Sequence, residues 1–220
     1  MYVQLLRISF FLYLTSNPAH NVVDNLLKKV SFNRDGGDHL IFTGDMINKG
    51  PASLDVVDFA RANSASCVRG NHEDKVLLIR RAIIAGGKMD ETMKLPGGND
   101  IEGVYTRERA LAKQLNNEQA EWLEKCPVIL NIGQIYGMGH VVVVHGGLVP
   151  GISHERQDPL GVMTMRTIDL DNHFPNSSSE GVPWSKVSFF PSICSEIFTA
   201  IPAPQSRVKI NVYLFDVAVQ

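Results

Sequence analysis

The chain has almost no charge imbalance to interpret. Its 220 residues carry 21 Lys and Arg against 23 Asp and Glu, a formal net charge of −2. No basic surplus points to nucleic acid, and no block of like charge reads as a tail. Cysteine is scarce. Cys67, Cys126 and Cys194 are widely spread, and an odd, scattered set excludes a cysteine-rich zinc site and predicts three free thiols rather than a disulfide framework. Free thiols go with a reducing compartment, so a cytoplasmic location is expected. Internal repeats and long low-complexity tracts are also lacking. So are long apolar runs: residues 1–14 are apolar but interrupted by Arg7. They fall short of the ~20 residues a membrane helix needs, so no stable membrane association is expected. That stretch leaves three readings open, one of them a wrongly assigned first exon. It is the first core strand, or it is a signal or anchor stub ahead of Ser16-Asn17-Pro18-Ala19, which would make the location vacuolar or secretory.

What is present suits a globular body. Apolar residues make up 44% of the chain, and its length suits one domain over 1–220 with room for a sizeable core. Residues 22–30 place Val22, Val23, Leu26, Leu27 and Val30 at helical spacing. A turn follows at 33–38, and 39–43 reads as a strand entering Gly44-Asp45. Pro51 opens a helix to about residue 62; 64–68 is a short strand; 75–85 is a helix. Residues 86–103 form a loop rich in Gly, Met and Asp. Two helices at 107–115 and 118–125 precede a strand pair, 128–132 and 135–144, turned at Gly133. The alternation predicts an α/β fold with sheets flanked by helices.

Three motifs carry the chemistry. Gly44-Asp45-(x)4-Gly50 ends one strand, Arg69-Gly70-Asn71-His72-Glu73 ends the next, and Val144-His145-Gly146-Gly147-Leu148 ends another. A carboxylate, an amide oxygen and an imidazole after separate strands suit divalent Mn, Fe or Zn rather than soft-metal chemistry.

In order and spacing these motifs resemble the calcineurin-like metallophosphoesterases of the Ser/Thr phosphatase superfamily. The similarity is greatest to the bis(5′-nucleosyl)-tetraphosphatase-like and fungal endopolyphosphatase-like branch, over about residues 32–186. The resemblance implies a calcineurin-like fold of central mixed β-sheets between helices and a two-metal site with ions about 3.5–4 Å apart. It implies Asp45 as the carboxylate between the ions, with Asn71 and His145 as further metal ligands. His72 is the implied general acid and Arg69 a phosphate-holding fork. Lys49 and Arg166 are further substrate contacts. Asn48 stands where relatives often carry an aspartate that orients the acid histidine. The implied substrate is a small phosphate or nucleotide: a dinucleoside tetraphosphate or polyphosphate hydrolysed by a metal-activated water. A serine/threonine protein phosphatase is the enzymatic alternative.

Two departures shape the remaining expectations. The family's first motif, GDxHG, is reduced to Asn17 and His20, three residues apart and without an aspartate. Beyond Lys186 the resemblance is lost, and no histidine remains to supply a closing GH motif. The fold is therefore expected to be incomplete at both ends, with the tail failing to complete the central sheet and a more open cleft. One ion rather than two is expected, and a truncated, catalytically impaired phosphate- or nucleotide-binding module is a third functional reading. The residues do not define an oligomeric state.

Overall fold

A computed structural model describes residues 11–13, 20–48, 52–86, 106–135, 139–169, 174–178, 181–184 and 214–216. The Gly-rich loop beyond Gly86, Lys49, Asn17 and Cys194 lie outside the described residues.

The chain opens as a run of alternating strands and helices. Strand β1 (Phe11–Tyr13) leads to α1 (His20–Lys29), β2 (Ile41–Phe42), α2 (Ser53–Ala62), β3 (Ser66–Cys67) and α3 (Asn71–Ile84). All pairings in this sheet are parallel, β1 with β2 and β2 with β3. Parallel strands need crossovers, and α1 and α2 provide them. Because side chains alternate across a strand, β2 feeds two cores. Phe42 packs with Val56, Val57, Leu77 and Leu123 on the helical side. Its neighbour Ile41 joins Val68 and Val143 on the other. Both are fully buried, as expected of a parallel sheet covered on both faces; each such side chain contributes about 1.5–3 kcal/mol.

Helices α4 (Thr106–Gln114) and α5 (Asn117–Lys125) follow, with Asn116 and Gln119 closing a reciprocal cap at the start of α5. Strands β4 (Ile129–Ile135) and β5 (Gly139–Val144) then form an antiparallel hairpin. A 3-10 turn (His154–Arg156) and α6 (Pro159–Thr164) lead to a three-stranded sheet of β6 (Thr167–Ile168), β7 (Pro175–Asn176) and β8 (Val182–Pro183). No helix among the described residues is long and apolar enough to cross a membrane.

Four sequence expectations are corrected. Gly133 is not the hairpin turn. It sits inside β4 with φ 89°, where the register shifts between Asn131 and Gly133, so it makes a bulge. Helix α3 begins at Asn71, four residues earlier than the apolar spacing suggested. The tail does join the sheet: β9 (Leu214–Asp216) pairs parallel with β1, giving the order β3-β2-β1-β9. Finally, the thiols are not all free. Cys67 and Cys126 form a disulfide with Cα atoms 5.2 Å apart, so cysteine usage no longer argues for a reducing compartment. Spacing could not show this, because 59 residues separate the pair; they meet because α5 packs on α2 and α3 and the Arg69 N–H donates to the Pro127 carbonyl at 2.8 Å.

Closing a loop of that length stabilises a fold by about 4 kcal/mol in the chain-entropy description. Cys126→Ala is therefore expected to lower the thermal midpoint by roughly 10 °C for a chain this size. Identical melting curves for the variant and the parent would remove the disulfide's structural role.

Candidate metal centre

The site lies past the carboxyl ends of β2 and β3, where open α/β sheets place their ligands. After Phe42 the backbone turns sharply: Gly44 has φ 91° and Asp45 φ 57°. The left-handed conformation at Asp45 costs energy for a residue with a Cβ and aims its carboxylate into the gap between strands. Two glycines allow the approach. A Cβ on Gly44 would lie 2.8 Å from both the Gly70 nitrogen and His145 Nδ1; one on Gly70 would lie 2.5 Å from Asp45 Oδ1.

Glu73 joins the two turns. It is wholly buried. Its Oε2 accepts from the backbone N–H of Asp45 at 2.8 Å and of Gly70 at 2.9 Å, and its Oε1 from Ile47 N–H at 3.2 Å. Burial, then the charge of Asp45, raise its pKa above the usual carboxylate range; the backbone donors pull the other way. The bond to Gly70 also caps α3, which is why the helix starts at Asn71.

Asp45 itself is buried, with 3% exposure. His145 Nε2 lies 3.2 Å from its Oδ1 and His72 Nε2 3.7 Å from its Oδ2. The His72 backbone N–H donates to Oδ1 at 3.3 Å. Asn71, half-buried, lies between Gly70 and His72 at the first turn of α3. His145 follows β5, and its Nδ1 sits 2.8 Å from the Thr43 carbonyl. A carbonyl only accepts, so Nδ1 carries the proton and Nε2 is the nitrogen turned to Asp45. That is the arrangement of a metal-ligating histidine, its far nitrogen fixed by a carbonyl. Burial alone would lower the His145 pKa. The hydrogen bond and charge of Asp45, with the Thr43 carbonyl, outweigh it and raise the pKa. The same negative charge that favours a proton on Nε2 would favour a divalent ion, so the donor set fits a metal. Among the described residues no group of three or more His, Cys, Asp or Glu side chains gathers in metal-binding form; the set here is one carboxylate, one imidazole and the neighbouring amide.

The other sequence-nominated residues fall in different places. Arg69 is half-buried and tied down: its guanidinium reaches Asp74 Oδ1 at 3.5 Å and the Glu124 carbonyl, while Nε is buried without a hydrogen-bond partner. Arg166 is exposed just beyond α6, near the Gly146–Gly147 turn that packs on Val162 and Met165. His20 is the first residue of α1, with no described side chain, and Asn17 and Lys49 lie outside the described residues. Two residues were missed. Glu73 was treated as a motif letter, although a carboxylate three residues after a cap position is itself a signal. Glu108, on α4, had no signal in the sequence. Its Oε1 accepts from Asn48 Nδ2 at 3.0 Å, and the same Nδ2 lies 2.9 Å from His72 Nδ1. A cavity of about 320 Å³ opens beside Asn48, between α2 and α4, with Ser53, Asp55, Arg107 and Gln114 on its walls.

A carboxylate and histidines after separate strand ends, joined by a buried clamp, define the metal-dependent phosphoesterase class. A profile of the calcineurin-like phosphoesterase family matches residues 18–193, and the chain belongs to that family. Members are hydrolases that use divalent metal ions. The chain is 28% identical over 127 residues to the symmetrical bis(5′-nucleosyl)-tetraphosphatase of Aliivibrio fischeri strain MJ11, covering 57% of this chain and 40% of that protein. It is 30% identical over 120 residues to the corresponding Aromatoleum aromaticum protein, covering 54% and 37%. It thus spans about two fifths of the length of these relatives. A solved structure, provisionally assigned as a diadenosine tetraphosphatase, aligns over 82% of this chain and 73% of its own at TM-score 0.59 and 24% identity. That likeness speaks to the fold.

Proposed function

We propose that the chain hydrolyses phosphoanhydrides of the dinucleoside tetraphosphate or polyphosphate class, using water activated by a divalent ion held by Asp45, Asn71 and His145. The carrying observation is the buried Asp45 carboxylate 3.2 Å from His145 Nε2, whose other nitrogen is fixed by Thr43. The ion would bind a phosphate oxygen and lower the pKa of the attacking water. His72 turns Nε2 to the same carboxylate and would donate to the leaving oxygen. Lys49, Arg166 and any part of the Arg69 fork released from Asp74 are the phosphate contacts. The tetraphosphatase relatives favour the nucleotide substrate. The cavity beside Asn48 would take the leaving half.

The test is metal content together with turnover. After dialysis against Mn, close to one equivalent per chain is expected, with Mn-dependent hydrolysis of a diadenosine tetraphosphate faster than that of a phosphoserine peptide. Two tightly held equivalents would show that residues beyond Asp45, Asn71 and His145 complete a second site. Binding of nucleotide with no turnover in any metal would reduce the chain to a binding module.

A further inference from the structure

We infer that Glu108 is a positioning residue for His72, acting through the Asn48 amide to keep the ring proton on Nε2, the nitrogen that faces Asp45. The inference rests on the reading of His72 as donor to the leaving oxygen.

Asn48 is held from several sides. Its backbone is left-handed, φ 75°, a conformation Asn tolerates better than most residues. Its N–H donates to Ser53 Oγ at 3.0 Å, and the residue is 6% exposed. An amide NH2 offers two hydrogens. Here Nδ2 lies 3.0 Å from Glu108 Oε1 and 2.9 Å from His72 Nδ1. The carboxylate takes one hydrogen. The other points at His72 Nδ1, which must be bare to accept it, so the ring proton sits on Nε2.

Asn48 could not impose this alone, because an amide can turn over and exchange its oxygen and nitrogen. Turned over, its oxygen would face the Glu108 carboxylate at the same 3.0 Å, two acceptors with no proton between them. Glu108 therefore selects the amide orientation, and the amide selects the tautomer. An aspartate at position 48 would do the opposite, accepting from Nδ1–H. Asn48 Oδ1 is buried with no hydrogen-bond partner, so the orientation is set on the NH2 side. With one ring proton, Nε2–H serves the leaving oxygen as a hydrogen-bond donor and keeps its proton, which suffices for a phosphoanhydride, whose leaving group departs as a phosphate anion.

The test uses the full chain with 15N-labelled histidine, loaded with diamagnetic Zn, the His72 signals identified by their loss in His72→Asn. At a pH where the ring is neutral, the parent is expected to show protonated Nε2 and bare, hydrogen-bonded Nδ1. Glu108→Ala should give mixed tautomers, while Glu108→Gln, which keeps an acceptor oxygen, should stay like the parent. Glu108→Leu takes the place of the alanine variant if that one does not fold. A parent ring protonated on Nδ1, or a parent-like tautomer in Glu108→Ala, overturns the proposal. In turnover, Glu108→Ala should lower kcat roughly ten-fold, the lower end for lost outer-shell partners, with KM within about two-fold. A parent that hydrolyses nothing defeats the functional reading, while the tautomer measurement still decides the role of Glu108.

Discussion

Asp45→Asn is expected to abolish hydrolysis and release the metal, while His72→Asn slows turnover roughly 10²–10⁴-fold and leaves the metal bound. The two side chains sit 3.7 Å apart, so the contrast separates ligand from donor within one cleft. Asparagine keeps the shape of Asp45 but removes its charge. The backbone at this position is already left-handed, a strain that Asn carries as well as Asp does, so the fold should survive and the loss should be chemical. His145 then faces a neutral amide, and the negative charge that would attract a divalent ion is gone. His72 is different: its Nδ1 is occupied by Asn48, and only Nε2 turns toward the cleft. Metal analysis beside turnover for both variants decides the matter. Equal loss of metal in the two would make His72 a ligand.

Glu73→Gln should be nearly as damaging, although the substitution is isosteric. Three backbone N–H groups converge on the Glu73 carboxylate, two on Oε2 and one on Oε1. A carboxylate accepts at both oxygens; an amide accepts at one and donates at the other. Whichever way glutamine turns, its NH2 meets at least one backbone donor, leaving that N–H buried and unsatisfied. Each such group costs about 1–3 kcal/mol, and repulsion between facing donors adds to it. The variant should unfold at lower denaturant and lose metal affinity together, because one side chain holds both the Asp45 and Gly70 turns. Unchanged denaturation and unchanged metal content would show that the turns are set by the backbone alone.

The parts of this architecture that could be read in advance are those specified locally. Val23 and Leu27 are buried on α1 at the spacing that suggested the helix. Asp45 and His145 stood out because glycine-flanked ligands after apolar runs have few other uses. Interactions across long separations were invisible. Nothing near Glu108 says that α4 returns to Asn48, 60 residues away, and nothing near Cys126 names Cys67. The C-terminal strand was overlooked for another reason. Its sequence had left the family pattern, yet an apolar run such as Leu214-Phe215 needs only a free sheet edge. The start of α3 was misplaced because apolar periodicity begins at Val76, whereas the helix is begun by a polar contact, Glu73 with Gly70.

The Cys67–Cys126 bond turns the middle of the chain into a covalent ring that holds Asn71, His72, Glu73 and Glu108 together with residues 87–105. A ring uncouples the ends of a segment from its length. Insertions between Cys67 and Cys126 enlarge a ring that is already closed, and each doubling of its length costs only about 0.6 kcal/mol. A peptide bond cut there would not part the two pieces until the disulfide was reduced.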